Sequence, residues 1–285
     1  MSTYQFGNKT LRKARRFTTK GVGVLCKIIL CLIFAFPFYW MIVTAFKTNA
    51  EAIRMPPTLW PQNWNFSGFK TIFAEDLTGY LKNSLIVLFW VTLLQMIIMI
   101  PAAYAFARHK FFGKNLFFSW IMVGFMVPGQ ITFVAVYRMF VDAGLIDSYL
   151  PQIIPLMCNG FGIFLLRQTF MQVPEELVES AKLDEASEFQ IIMKIMMPMA
   201  KSTIVTIMLL SVMGTWNSYF WPMVVARTNE FWPIPVYIEQ LKNLEGGMKW
   251  PVIMAGNVVL ILPVLIAFLV ASKKIIASMA YRGVK

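Results

Sequence analysis

The stretch SLIVLFWVTLLQMIIMIPAAYAF, residues 84–106, decides the fold. It holds no charged side chain over its 23 residues, and about 20 residues of α-helix cross the roughly 30 Å hydrocarbon core of a bilayer. Similar apolar stretches occupy residues 22–46, 115–137, 149–167, 201–225 and 251–272. The pattern predicts an all-α integral membrane protein with six transmembrane helices.

The composition of the chain agrees with lipid as its solvent. Of the 285 residues, 58% are hydrophobic and 14% are charged, and the mean hydropathy is +0.63. This is more apolar side chain than the core of a water-soluble domain could bury. Pro128, Pro155 and Pro222 fall inside the apolar stretches, where we expect kinks because neighbouring helices satisfy the freed carbonyl groups.

The basic residues are distributed unequally between the two predicted sides of the membrane. With six spans, eighteen Lys and Arg residues lie on the side of the N-terminus and eight on the other side. The positive-inside rule therefore places both termini in the cytoplasm, with a basic segment of residues 1–21 before a six-helix domain of residues 22–285. The net charge of +12 reflects this topology rather than nucleic-acid binding.

The residue types that catalysis or metal binding would need are scarce. Cys26, Cys31 and Cys158 lack metal-ligand spacing and are interpreted as small buried hydrophobic residues, while the single histidine, His109, lies in a basic loop. No acid lies within a predicted span, and the bases Lys27, Arg167 and Lys201 lie toward the span ends, which disfavours an ion-coupled carrier. We expect no catalytic residue, no metal site and no bound cofactor in this chain.

One predicted inner loop is unusually acidic. It lies at about residues 174–198 and holds all the carboxylates of the inner side, namely Glu175, Glu176, Glu179, Asp184, Glu185 and Glu188. Pro174 followed by two acids predicts a helix start, and Ser187 with Gln190 has the spacing of a capping box. The loop is therefore predicted to form two short helices joined by a bend at residues 184–186.

The order of residues in this loop resembles the EAA loop of ABC importer permeases. The matching segment is Glu179-Ser180-Ala181-Lys182-Leu183-Asp184-Glu185-Ala186-Ser187, with Pro198 beyond it. Asn83-Ser84, Trp216-Asn217, Met254-Ala255, Pro263 and the terminal Gly283-Val284-Lys285 extend the resemblance over nearly the whole chain. The chain is most similar to the smaller permease of the maltose-type carbohydrate importers, which implies a type I ABC importer permease fold.

The resemblance implies that the loop couples transport to a cytoplasmic ATPase. Glu179 would pair with a basic residue of the ATPase, Ala181 and Ala186 would allow close approach, and Asp184 would lie at the bend. The coupling residues are then Glu179, Ser180, Ala181, Asp184, Glu185, Ala186 and Ser187. The family usually has Gly where this chain has Glu185, so either the bend is right-handed or Glu185 tolerates strain. The alternative interpretation of the loop is a solvated acidic hairpin.

The resemblance also implies the partners of the chain. They are a second homologous permease subunit, a cytoplasmic ATPase dimer, an extracytoplasmic sugar-binding protein and membrane lipid, without nucleic acid, in a cell membrane of bacterial type. The chain has no P-loop, so ATP and Mg would bind the partner ATPase. A stand-alone carrier and a membrane enzyme are the alternatives, and the acidic loop distinguishes the importer from both.

Polar side chains within the predicted spans are candidates for the substrate path. Burying them in lipid is costly, so Gln95, Asn159 and Asn217 are expected to face protein or water. Trp216 and Tyr219 flank Asn217, and aromatic rings beside an amide could stack on and hydrogen-bond a sugar. The alternative is that the amides connect helices and the rings only pack.

Overall fold

The computed structural model describes residues 3–74, 76–243 and 247–280, without the side chains of residues 3–20, 243, 267 and 270–280. Every regular element among the described residues is a helix. The α-helices are α1 (Thr3–Ala45), α2 (Asn49–Ala52), α3 (Ser67–Ala74), α4 (Leu77–Arg108), α5 (Lys114–Met126), α6 (Gly129–Asp142), α7 (Leu150–Ile153), α8 (Gly160–Met171), α9 (Glu175–Leu183), α10 (Glu188–Ile191), α11 (Met197–Met199), α12 (Lys201–Trp216), α13 (Phe220–Val225), α14 (Ile234–Gln240) and α15 (Trp250–Ala280). Gly283-Val284-Lys285 lies outside the described residues.

The helices of the described chain support a multi-pass membrane protein. Gly21–Ala45, Leu77–Arg108 and Leu150–Met171 are each long and apolar enough to cross a bilayer. The count rises to five if two bent pairs each form one span, and α15 adds the shorter apolar segment Trp250–Ile266. The all-helical prediction is confirmed, while the six spans and the cytoplasmic termini stay predictions.

Several predicted spans are interrupted rather than kinked. α5 ends at Met126, and α6 begins after Pro128 at an angle of 99°. Val127 is extended, as expected for a residue that precedes proline, so the helix stops instead of bending. Pro155 lies in a 3-10 turn between α7 and α8, and the stretch 201–225 breaks after Trp216. The expectation of simple kinks in continuous helices is wrong.

The cysteines also differ from their prediction. Cys26, Cys31 and Cys158 are all exposed on the chain, so the expectation of buried positions is wrong. Cys26 and Cys31 lie in the part of the span Gly21–Ala45 whose side chains are exposed, whereas only its end at residues 43–45 is buried. An apolar sequence does not distinguish a side chain that faces lipid from one that faces protein.

Contacts divide the chain into two units, and the first comprises Met1–Phe73 and Gly246–Val259. Lys47 in this unit is only 1% exposed, and its Nζ atom lies 4.4 Å from the ring centroid of Trp40. Burial lowers the pKa of Lys47, and the attraction of Glu51 opposes this shift. The Glu51 carboxylate accepts bonds from Thr58 Oγ1 at 2.7 Å and from the Gln62 amide at 2.9 Å. These bonds hold the segment after α1 in place.

The second unit, Ala74–Glu245 with Leu260–Lys285, has a core formed by α4, α8 and α12. Met99, Leu166 and Ile207 are fully buried there, one from each helix. Gly162 lies where α8 approaches its neighbours, because a Cβ at this position would meet Met99 Sδ and would lie 3.2 Å from Ile207 Cγ2. A small residue at a close helix crossing is typical of membrane proteins.

Polar side chains of α4 connect this core to other elements. Gln95 is buried, donates to the Leu156 carbonyl at 2.6 Å and accepts from Ser211 Oγ at 2.6 Å. Asn83 donates to the carbonyls of Glu230 and Trp232 at 2.7 and 3.0 Å. Ser84 Oγ accepts the Ile234 amide at 2.8 Å. One helix therefore bonds to segments far apart in the sequence.

The Gln95 bridge gives a test of this packing. Gln95→Met keeps the size of the side chain but leaves Ser211 Oγ and the Leu156 carbonyl without this partner, which is expected to cost about 1–3 kcal/mol. Thermal unfolding of the purified protein in detergent should show a lower Tm. Gln130→Met on the exposed surface of α6 is the control and should leave Tm unchanged. Equal Tm values for all three proteins would contradict a structural role for Gln95.

Candidate functional site

The acidic loop forms the helical hairpin that its sequence predicts. Pro174 is the N-cap of α9, and Ser187 is the N-cap of α10. Ser187 Oγ accepts the Gln190 amide at 3.3 Å, and Gln190 Oε1 accepts the Ser187 amide at 2.9 Å. The capping box is confirmed, and a π-helical turn at Ile192–Met196 continues the second arm toward Pro198.

The bend of the hairpin is a Schellman motif with glutamate in the left-handed position. The Ala186 amide bonds to the Ala181 carbonyl at 2.9 Å, and the Glu185 amide bonds to the Lys182 carbonyl at 3.1 Å. Glu185 has φ +55°, a conformation that glycine adopts freely and other residues adopt at a cost of about 1 kcal/mol or more. Of the two alternatives for Glu185, the strained one is therefore correct.

The inner face of the hairpin packs on the core of the second unit. Val178, Ile191 and Met196 are buried there, and Ala181 and Ala186 are half-buried against the same cluster. Ala181 and Ala186 begin and end the 6→1 hydrogen bond of the bend. Their small side chains thus lie beside the core at the point where the chain turns.

The outer face of the hairpin is acidic and apolar together. Its exposed members among the predicted coupling residues are Glu179, Ser180, Asp184, Glu185 and Ser187. Leu183 is 86% exposed and Phe189 is 71% exposed, one on each side of the bend. Sequence analysis missed these two residues, although apolar side chains within a loop of six acids were a usable signal. Leu183 and Phe189 are thus exposed apolar groups within an otherwise acidic surface.

A second cluster connects the hairpin to the end of α4. Tyr104 OH donates to Glu188 Oε2 at 2.5 Å, and His109 Nε2 lies 3.7 Å from the same oxygen. Glu188 Oε1 lies 3.8 Å from Lys182 Nζ on the other arm of the hairpin. Sequence analysis included Glu188 only as one of the acids, because no local pattern links residues 84 positions apart.

Arg108 fixes the neighbouring end of α8. Its Nη2 atom donates to the Phe170 carbonyl at 2.8 Å and to the Val173 carbonyl. These carbonyls belong to the last turn of a helix and the residues just after it, where they have no partner within the helix. The cationic side chain of α4 thus supplies the bonds that close α8 before the hairpin begins.

Three of the five predicted substrate-path residues make structural contacts. Gln95 bridges α12 and the Leu156 carbonyl, as described above. Asn159 Oδ1 caps α8 by accepting the Gly162 amide at 2.8 Å, and buried Trp216 donates from Nε1 to the Leu260 carbonyl at 3.0 Å. The bridging alternative therefore fits these three side chains.

The other two predicted substrate-path residues, Asn217 and Tyr219, lie at the break between α12 and α13. Both are exposed, and Asn217 Nδ2 donates to the Met213 carbonyl of its own helix at 2.8 Å. The same break contributes to a cavity of about 740 Å³. Its lining includes Gln130, Phe133, Phe140, Pro155, Ser218, Phe220 and Trp221. None of the five predicted residues belongs to the described lining, so the structure does not bring them together at one site.

Comparisons with known proteins add to this geometry. Residues 97–273 match the profile of a family described as binding-protein-dependent transport system inner membrane component. The arabinooligosaccharides transport system permease protein AraQ of Bacillus subtilis is 28% identical over 281 residues, covering 96% of this chain and 99% of that protein. The sn-glycerol-3-phosphate transport system permease protein UgpE of Brucella abortus is 28% identical over 254 residues, covering 86% and 90%.

Solved structures contain the same architecture. A chain of a bacterial ABC transporter involved in the import of the acidic polysaccharide alginate matches with a TM-score of 0.77 and 26% identity, covering 92% of this chain and 97% of that one. The alginate transporter in complex with an alginate pentasaccharide-bound periplasmic protein matches with a TM-score of 0.63 and 19% identity, covering 93% and 97%. The second likeness concerns the fold alone.

The strained bend gives a prediction for the hairpin. Glu185→Gly should relieve the left-handed strain and stabilise the protein by about 1 kcal/mol, whereas Glu176→Gly places glycine in the right-handed helix α9 and should destabilise it by a similar amount. Thermal unfolding in detergent compares the two variants, which each remove one glutamate from the hairpin. A lower Tm for both would contradict the left-handed conformation of Glu185.

Proposed function

Because the chain belongs to the family of binding-protein-dependent transport system inner membrane components, we propose that it is a permease subunit of an ATP-driven ABC importer for a carbohydrate. It is a multi-pass protein of the cell membrane and a transport component, not an enzyme. It forms half of the translocation path and couples to a cytoplasmic ATPase through the hairpin at about residues 174–198.

The exposed face of the hairpin is the observation that carries this proposal. Carboxylates beside Leu183 and Phe189 suit a cleft that is apolar at its base and basic at its rim. Anionic lipid headgroups would repel the same carboxylates. Glu179 is exposed in the middle of α9 and is the residue proposed to pair with a base of the ATPase. Ser180, Ala181, Asp184, Glu185, Ala186 and Ser187 complete the proposed coupling surface.

The proposed substrate is an oligosaccharide or a related sugar. Support comes from the relatives, whose names refer to arabinooligosaccharides and sn-glycerol-3-phosphate, and from the structure of the alginate importer at 26% identity. Within this chain, exposed Asn217 and Tyr219 are the proposed contacts of the passing sugar. The polar atoms of Gln95, Asn159 and Trp216 bond to other groups of the protein. These residues therefore shape the sugar path without contacting the sugar.

The proposed assembly follows from the family. The chain pairs with a second homologous permease subunit, receives sugar from an extracytoplasmic binding protein and docks on an ATPase dimer. ATP and Mg bind the ATPase and not this chain. Six spans with both termini in the cytoplasm would place the hairpin on the side of the ATPase. A periplasmic binding protein in the complex of the alginate transporter supports that partner.

Reversal of one charge tests the coupling role. Glu179→Lys would set a cation against the proposed basic cleft, so sugar uptake should fall at least about tenfold and the ATPase should no longer purify with the chain. Uptake of labelled sugar into cells and affinity purification in mild detergent measure both effects. Membrane insertion should be unchanged, because Glu179 is exposed.

A charge reversal elsewhere supplies the control. Asp142→Lys changes an exposed carboxylate that is predicted to lie on the opposite side of the membrane. Among the described residues its ion pair is with Arg138 of its own helix, so uptake should persist. Normal uptake by the Glu179→Lys protein, or recovery of the native chain alone with intact folding, would contradict the proposed function and favour a stand-alone carrier.

A further inference from the structure

We propose that the hydrogen bond between Tyr104 and Glu188 is the joint through which movement of the hairpin reaches α4, and that Glu188 is a positioning residue for transport. This inference rests on the proposed function, because it takes the hairpin to be the part that the ATPase moves. It assigns a role to one contact that the docking surface itself does not include. Tyr104 is 2% exposed and belongs to the buried core on which the hairpin packs.

The position of Glu188 makes it a junction of three structural parts. Its carboxylate belongs to the first turn of α10, faces Lys182 at the end of α9, and accepts the Tyr104 hydroxyl of α4. A carboxylate in the first turn of a helix is already favoured by the helix dipole. The Tyr104 bond is therefore an additional contact, and His109 Nε2, just beyond α4, lies 3.7 Å from the same oxygen.

α4 makes contacts near both of its ends, so a displacement at Tyr104 can reach a distant part of the unit. Tyr104 lies in the last turns of this helix, whereas Asn83 and Ser84 lie near its start and bond to Glu230, Trp232 and Ile234 of a distant loop. At 1.5 Å per residue, the helix separates these two sets of contacts by about 30 Å. α4 is a single helix from Leu77 to Arg108, in contrast to the interrupted α5–α6 segment, with Pro101 inside it three residues before Tyr104. The proline removes one backbone hydrogen bond of α4 but does not end the helix. A continuous helix transmits a displacement of one end to the other.

The hydrogen bond of the joint connects a buried hydroxyl, that of Tyr104, to a charged acceptor, the carboxylate of Glu188. A hydrogen bond to a carboxylate is stronger than one between neutral groups. Loss of Glu188 would leave the buried Tyr104 hydroxyl without this acceptor, and such a group disfavours the arrangement that leaves it unpaired. The bond thus favours states in which the hairpin and α4 move together.

The experiment uses the complete transporter in proteoliposomes, with ATP hydrolysis and sugar uptake measured in the same vesicles. Tyr104→Phe keeps the ring that packs against Phe170 and removes only the hydroxyl. The number of ATP molecules hydrolysed per sugar should rise at least about fivefold, while the amount of ATPase bound stays unchanged. A change that only weakened folding would lower both activities and leave their ratio constant.

Further variants separate the joint from a general loss of stability. Glu188→Ala should reproduce the raised ratio of ATP to sugar. Glu188→Gln should stay within about twofold of the native ratio, because the amide oxygen still accepts the bond. The ratio of the double variant Tyr104→Phe/Glu188→Ala should exceed that of neither single variant. Thr169→Val is the control, because it removes the contact of Thr169 Oγ1 with Thr203 Oγ1, 3.0 Å apart, in the same core. Its ratio should equal the native one.

The outcomes distinguish this inference from the proposed function. An unchanged ratio in both Tyr104→Phe and Glu188→Ala, or effects that multiply in the double variant, would overturn the joint while the ATPase remains bound. If the native chain does not retain an ATPase, the proposed function itself fails. Glu188→Ala keeps the test decisive if Tyr104→Phe does not assemble, because Glu188 is on the surface of the hairpin.

Discussion

A buried polar group needs a partner within the protein, and α4 meets this constraint at three positions along its length. Asn83 and Ser84 bond to the loop before α14, Gln95 bonds to α12 and to the Leu156 carbonyl, and Tyr104 bonds to Glu188. Each partner belongs to another element. The position of α4 therefore determines where the core, the hairpin and the distant loop lie within their unit.

The hairpin could be predicted in detail because its ends depend on local chemistry. Pro174 favours a helix start through its fixed backbone conformation, and the Ser187–Gln190 pair bonds across three residues, so sequence reveals both directly. The conformation of Glu185 could not be decided, since only its surroundings force glutamate into a region that glycine prefers. The breaks at Pro128 and after Trp216 were missed because an apolar composition is the same for a continuous and an interrupted helix. The bond of Trp216 to the Leu260 carbonyl depends on packing, whereas the Asn159 cap of α8 is a local bond that the predicted continuous span concealed.

The comparisons confirm the family and agree with the fold. The family profile covers residues 97–273, which include the C-terminal part of α4, the hairpin and α12. The resemblance found in the sequence began with the motif of the acidic loop and extended over nearly the whole chain, and the solved alginate transporter matches over 92% of the chain. The interpretation as a transport component rather than an enzyme is also confirmed. A short motif and the overall architecture thus lead to the same family by independent routes.

The hairpin is closed by hydrogen bonds within itself at both sides of its bend. The Schellman bonds end α9, the capping box begins α10, and the buried side chains of both arms hold them on the core. A partner that binds this surface does not need to order a flexible loop, so little conformational entropy is lost on association. Under the proposed function, binding free energy would then remain available for displacement of the hairpin, which would allow rapid cycles of attachment and movement without refolding of the contact surface.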